Sequence, residues 1–313
     1  MDHFALTSEN IPLPKAATPR ARRIQVHWHD RNILDLTQGL FRSYLFPVYS
    51  PQGVALTAES PVDHPHHNSI TIGADVFFVK LPPLTPAMSA LEEEATYNLY
   101  VNQIFQGRAP GRTWTVSTDA EEKAADHLRI VQQVQWQGPE EWGAADGRRV
   151  LAAETRTIDI YPGAVANVID IRSQLRPTEW DITIGPTRHA YFTIRLADGL
   201  RVDDGGTSLD SEGRRGGAAI TGQTAAWVDV SGPCAHGQKA GIGVIPHPSI
   251  ERLRWNVADW GTITVNPFMD KKGVLNRGAS LDLGIRVLAH DGDAAAADVA
   301  AFYAAFKSRG PRP

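Results

Sequence analysis

Hydrophobic and polar residues alternate one by one along much of this chain, the period that sends successive side chains to opposite faces of a β-strand. The alternation is clear in Arg23-Ile24-Gln25-Val26-His27-Trp28 and again from Leu128 through Trp136. Thr155 to Tyr161 carries it as far as Pro162-Gly163, and Ala166 to Ile171 resumes it, which predicts a hairpin with its turn at Pro-Gly. Leu281 to Leu288 alternates near the end. Many such strands between Gly- and Pro-bearing turns predict an all-β sandwich. Helix is predicted in two places. One is a short turn at Glu92-Glu93-Glu94-Ala95. The other is an amphipathic closing helix over Asp291 to Ser308, where Val299, Phe302, Tyr303 and Phe306 recur near helical spacing.

Residues 1–23 hold Pro12, Pro14 and Pro19 and show no helical or strand period across the prolines. They read as an extended arm ahead of one sandwich domain over 24–313, docked on the sheet or exchanged in a homodimer. The 313 residues exceed the usual single-domain length but lie within reach of a large sandwich. A net charge of −4 leaves no basic footprint for nucleic acid. No stretch approaches the roughly 20 apolar residues of a membrane-spanning helix. The start, Met1-Asp2-His3-Phe4-Ala5-Leu6, lacks the basic and apolar runs of a secretory signal, so the expected compartment is the cytoplasm. Cys234 is the only cysteine, which excludes an internal disulfide or a thiolate metal cluster within one chain. No Gly-rich phosphate loop follows a strand, which disfavours nucleotide binding.

Candidate chemistry concentrates in histidine. Asp63-His64-Pro65-His66-His67 places three imidazoles within four positions, on backbone stiffened by Pro65. Read as extended chain, His64 and His66 face one way and His67 the other. Imidazole near neutral pH suits proton transfer or metal ligation, whereas the bland reading is a turn whose rings bond backbone carbonyls. In Thr187-Arg188-His189-Ala190-Tyr191-Phe192, a titratable ring stands beside a cation and two aromatics, a set suited to a sugar; alternatively Tyr191 and Phe192 are core. A third group comprises Pro246-His247-Pro248, Arg254 to Gly261 and Val265-Asn266-Pro267-Phe268. There Trp255 offers a stacking face, Asn266 a polar contact, and Asp259 either a carboxylate to orient a histidine or a turn cap. His127 reads as surface; His27 and His29 have no partner evident in sequence.

Arg42 to Gly53, Asp63 to His67, Ala226-Trp227-Val228-Asp229-Val230-Ser231-Gly232 and Trp255 to Phe268 occur in the order found in the PmoA-like family, which the chain resembles beyond its arm. That family carries the label of a methane oxygenase subunit and has no agreed activity. Asn68-Ser69-Ile70-Thr71 departs from the Arg-x-Leu-Trp usual after its histidines, and Leu91 to Thr113 looks particular to a subgroup, which together imply a different substrate. A fainter resemblance is to aldose 1-epimerases. Thr187 to Phe192 is similar to the segment holding their proton-donating histidine, and Arg42 and His67 fall in the order of their substrate arginine and second histidine. This resemblance implies a galactose-mutarotase-like sandwich and a carbohydrate pocket. The late glutamate those enzymes use as base has no counterpart in Thr262 to Phe268.

Three functions follow as expectations. The first is an isomerase or lyase acting on a small carbohydrate-like molecule. His189 is its general acid, His67 its base or partner, and Asp259 the orienting or alternative basic carboxylate. Arg42 and Arg188 hold oxygens, Tyr191 and Asn266 contact substrate, and Trp255 stacks on the ring. The second is a metal-dependent enzyme holding Zn²⁺, Mn²⁺ or Fe²⁺ through two or three of His64, His66, His67, His189 and His247. The third is a non-catalytic sugar-binding or accessory protein on the same scaffold.

Overall fold

The alternating segments pair into three sheets in the computed structural model, which describes residues 1–11, 21–81, 93–140, 147–234, 237–248, 250 and 253–309. The first sheet runs in the order β1 (Phe4–Ile11), β2 (Ala21–Trp28), β3 (Arg31–Gln38), β4 (Ser43–Val48), β5 (Ile70–Ala74), β14 (Ala190–Arg195), β19 (Thr262–Val265) and β18 (Asn256–Ala258). The second runs β15 (Thr207–Asp210), β16 (Val228–Pro233), β17 (Lys239–Pro246), β21 (Leu281–Asp291), β12 (Ala166–Pro177), β11 (Arg148–Tyr161), β10 (His127–Glu140) and β9 (Arg112–Ala124). A smaller sheet is ordered β20 (Gly273–Leu275), β13 (Ile182–Ile184), β6 (Phe77–Leu81), β7 (Glu93–Asn98) and β8 (Ala109–Pro110).

The two large sheets face each other across an apolar core. Leu128, Ile130, Val134 and Trp136 of β10 point inward while Arg129, Val131, Gln133 and Gln135 between them are more exposed, the two-residue period made physical. Tyr191 of β14 crosses the interior to stack on Trp136, with ring centroids 5.7 Å apart, and its hydroxyl meets that of Ser173 at 2.9 Å. The buried Arg156 guanidinium grips Glu154 through two nitrogens, at 2.9 and 3.0 Å, so neither charge is left without a partner. The predicted hairpin is present: β11 pairs with β12 in register from Ala152↔Pro177 to Tyr161↔Val168.

Three local expectations change. Residues 4–11, expected in an extended arm docked on the sheet or exchanged with a partner, form a full strand, β1, at the edge of the first sheet and pair with β2; Pro12, Pro14 and Pro19 lie outside the described residues. Glu93 to Ala95 belong to a strand, because β7 pairs with β6 from Phe77↔Tyr97 to Leu81↔Glu93; Glu92 lies outside the described residues. The closing helix is shorter than predicted. Asp291 still pairs with Ala240 at the end of β21, and α2 (Val299–Arg309) starts after Asp298, whose carboxylate accepts the Ala301 N–H at 3.2 Å. Phe302, Tyr303 and Phe306 of α2 cover Val168, Ile245 and Leu288 on the outer face of the second sheet. No helix among the described residues is long and apolar enough to cross a membrane.

Beneath that helix side lies a buried pair. His290 Nε2 and Asp229 Oδ2 are 2.7 Å apart although their strands, β21 and β16, flank β17. The middle strand presents Gly241 and Gly243 there. A Cβ at Gly241 would stand 2.7 Å from the His290 ring, so the missing side chain opens the slot through which the pair meets. Asp229 and His290 are both fully buried.

Candidate functional site

The outer face of the first sheet carries a cavity of about 470 Å³, within the usual range for small-molecule sites. Its floor follows from strand alternation. Asn256, Ala258, Thr262 and Thr264 of β18 and β19 face the cavity, and Val257, Ile263 and Val265 between them face the core. Three loops supply the walls.

The histidine loop joins β4 to β5. Its backbone does not run extended: the His64 N–H donates to the Pro61 carbonyl at 3.1 Å and the His67 N–H to the His64 carbonyl at 2.9 Å, two successive turns. Turns abolish the predicted alternation, and His64, His66 and His67 all line the same cavity. His64 stacks on His67 (4.7 Å) and on the Trp260 indole (4.3 Å), and His66 meets His67 edge-on at 4.5 Å.

A second loop brings Tyr100, and the sheet seats it in three ways. The Leu99 N–H donates to the Ala74 carbonyl at 2.7 Å, and a Cβ at Gly73 would lie 2.3 Å from the Leu99 oxygen, so the loop rests on bare strand backbone. Asn98 Oδ1 accepts the N–H groups of Tyr100 (2.9 Å) and Val101 (2.7 Å). Arg42, buried beneath, donates to the carbonyls of Gly111 (2.8 Å) and Val101 (3.3 Å). Gly73→Ala is therefore expected to force backbone apart and cost about 1–3 kcal/mol, read as a lower urea midpoint. An unchanged midpoint would show that the loop does not rest on this strand.

The third loop precedes β14 and presents Arg188 and His189. His189 Nδ1–H donates to Asp75 Oδ2 at 3.0 Å, just beyond the end of β5. The Thr187 hydroxyl donates to the other oxygen of Asp75, and Arg108 approaches at 3.5 Å. Burial pushes the Asp75 carboxyl up, but the hydrogen bonds from His189 and Thr187 and the charges of His189 and Arg108 outweigh it and hold it below the ordinary range. With Nδ1 committed to Asp75, the His189 lone pair is on Nε2, where it accepts the Arg188 Nε–H at 3.1 Å. Tyr100 stacks on the His189 ring at 5.3 Å, and its hydroxyl shares a hydrogen bond with His67 Nε2 at 3.1 Å.

Burial, with His64, His189 and Arg42 nearby, holds His66 down to about 4. Burial and the neighbouring His66, His64 and Arg195 bring His67 to about 2, and burial pushes Tyr100 up to about 12. Near neutral pH, His66 and His67 are therefore uncharged and Tyr100 keeps its proton. The cavity thus sets a carboxylate-oriented imidazole beside an uncharged, mutually hydrogen-bonded tyrosine and histidine.

Of the residues nominated from sequence, the structure brings His64, His66, His67, Arg188 and His189 to this cavity. The others stand elsewhere. Tyr191 is fully buried between the sheets, and Trp255 is fully buried with its indole N–H on the Ala225 carbonyl at 3.0 Å; Trp260 supplies the aromatic wall instead. Arg42 is spent on carbonyls of the Tyr100 loop, and burial lowers its pKa to about 9. Asn266 donates to the Thr187 carbonyl (2.6 Å) and accepts the Phe268 N–H (2.8 Å), so it braces the His189 loop. Asp259 accepts the Gly217 N–H at 2.6 Å, at the start of α1 (Gly217–Ile220), with no histidine partner among the described residues. His247 lines a separate cavity of about 440 Å³ beside α2, with its ring 6.0 Å from Phe306, so it does not converge with His64 and His66. His127, expected at the surface, bonds Asp159 at 2.7 Å and stacks on Tyr161 in that same cavity. Among the described residues, no three His, Cys, Asp or Glu side chains are grouped to hold a metal ion.

Fold and site define an all-β sandwich protein with a histidine-walled cavity on one sheet. The chain belongs to a family of unknown function, DUF6807, which it matches over residues 23–304. The match is thus to a family described by unknown function rather than under the PmoA-like label that the motifs suggested. No curated protein matches. Solved structures similar to the chain include a provisionally assigned aldose 1-epimerase from Klebsiella pneumoniae, with TM-score 0.48 and 12% identity over 97% of this chain and 88% of that one. Another is the Slr1438 protein from Synechocystis, with TM-score 0.33 and 9% identity over 93% and 98%. A third, 4-alpha-glucanotransferase from Thermococcus litoralis, has TM-score 0.28 and 8% identity over 90% and 39%.

Proposed function

We propose that the protein is an acid–base isomerase or lyase acting on a small carbohydrate-like molecule in the cavity that holds His189. The observation carrying this reading is the Asp75–His189 pair at a cavity that also holds Tyr100 and His67, both uncharged and hydrogen-bonded to each other. A neutral His189 takes a proton from a carbon beside a carbonyl. The C–H bond breaks, the proton goes to Nε2, and the electron pair moves onto the carbonyl oxygen as an enolate. Asp75 stabilises the imidazolium that forms, and Tyr100, still protonated, donates to the developing oxyanion. Return of the proton to the other face of the same carbon completes an epimerisation; delivery to the former carbonyl carbon, with the adjacent hydroxyl's proton passing to the enolate oxygen, completes an aldose–ketose isomerisation; departure of a leaving group from the next carbon with its bonding pair, as the carbonyl re-forms, completes an elimination. The stacked Trp260 and the hydroxyls of Thr262 and Thr264 suit a ring or chain that is apolar on one face and polar at its edges.

Proton NMR in D₂O with a panel of aldoses, ketoses and hexuronates tests this. The expected result is enzyme-dependent deuterium at the carbon next to the carbonyl, or a new alkene signal. Saturable binding with neither signal in any panel member would reduce the protein to a sugar-binding module.

A further inference from the structure

Arg188 is the only Arg, Lys, Asp or Glu among the described residues lining the cavity, and it has no carboxylate partner among them. Carboxylates tied to the wall are already taken. Asp63 accepts from Arg195 through both oxygens at 2.9 Å and from His64 at 3.0 Å, and Asp75 serves His189, Thr187 and Arg108. Four guanidiniums (Arg42, Arg108, Arg188 and Arg195) thus stand around the wall against the two carboxylates Asp63 and Asp75, a local positive excess in a chain whose net charge is −4.

Arg188 is also misplaced for a catalyst at rest. Its Nε–H occupies the His189 Nε2 lone pair, the one that must receive a proton. A guanidinium bonds an anionic oxygen more strongly than a neutral imidazole, and can do so through two N–H groups.

We infer that the cavity takes an anionic sugar, whose carboxylate or phosphate pairs with Arg188 and, by drawing that side chain away, frees the His189 lone pair. The inference rests on the acid–base reading of this site and narrows it to charged substrates. Neutral sugars lack the group that would displace Arg188, so selectivity and activation come from one contact.

Titration calorimetry with D-glucose, D-galactose and D-mannose, their 6-uronates and their 6-phosphates tests it on the full chain. At least one anionic series is expected to bind about tenfold or more tighter than its neutral parent, and the series that does so identifies carboxylate or phosphate as the recognised group. Arg188→Gln is expected to remove the preference, and Arg188→Lys to keep part of it by retaining the charge without the fork. Neutral sugars binding as tightly as the anions, no anion binding at all, or a preference that survives Arg188→Gln would each overturn the inference. The acid–base reading fails on a different result, deuterium exchange unchanged in His189→Gln, so the two failures are separable.

Discussion

His189→Gln lowers the rate of solvent-deuterium exchange by about 10²–10⁴-fold while leaving substrate binding within a fewfold of wild type, the range expected when a positioned acid–base group is lost. Glutamine keeps a polar side chain in the cavity, so the loss reports proton transfer and not a collapsed wall. Asp75→Asn should lose less, about 10–10²-fold, because a neutral amide can still hold the ring but cannot offset the charge of the imidazolium. The carboxylate is nearly buried and already bonded by Thr187, so the substitution also tests whether orientation or charge dominates. Equal rates in wild type and His189→Gln would overturn the acid–base reading of this cavity.

The largest stability effect is expected far from that cavity. Asp229→Leu leaves His290 buried beneath α2 without its acceptor, and breaking a buried pair from one side costs about 3–5 kcal/mol. That is a large fraction of the roughly 5–15 kcal/mol that holds a typical domain folded. Burial of His290 opposes its protonation, but the hydrogen bond and charge of Asp229, with the Asp291 carbonyl, outweigh it, and the pKa is raised. Because the folded value lies above the ordinary histidine value of about 6.5, the pair's contribution is complete below that pH and declines as pH rises through the folded value. Urea midpoints followed from about pH 5 to pH 9 should therefore fall for the wild type and run flatter for His290→Gln. Parallel midpoint curves would show that His290 is not the titrating group.

The strands were legible because burial enforces a period of two. Leu128 to Trp136 alternates in sequence and alternates in burial, and the hairpin at Pro162-Gly163 needed only a turn between two such runs. The histidine loop was legible in composition, yet its presentation depended on two turn hydrogen bonds that turn residues only suggest. Strand phase decided the third group. Asn256 and Ala258 face out, so Val257 faces in, Trp255 packs into the core, and Trp260 reaches the cavity from the turn between β18 and β19. Asp75 gave little signal beyond a carboxylate at a strand end, because its partner His189 is more than a hundred residues away and meets it only where β5 pairs with β14. The same holds for Asp229 and His290, which meet across a strand whose place between them is a matter of sheet order.

Tyr100 reaches its position through backbone contacts to Ala74, the Asn98 side chain and the hidden guanidinium of Arg42, all of which belong to the platform and none to the tip. The neighbouring tip positions, Gln103 and Phe105, look into the same hollow without being used as anchors. A substitution at either position would therefore reshape the mouth of the hollow while the contacts that seat Tyr100 stay in place.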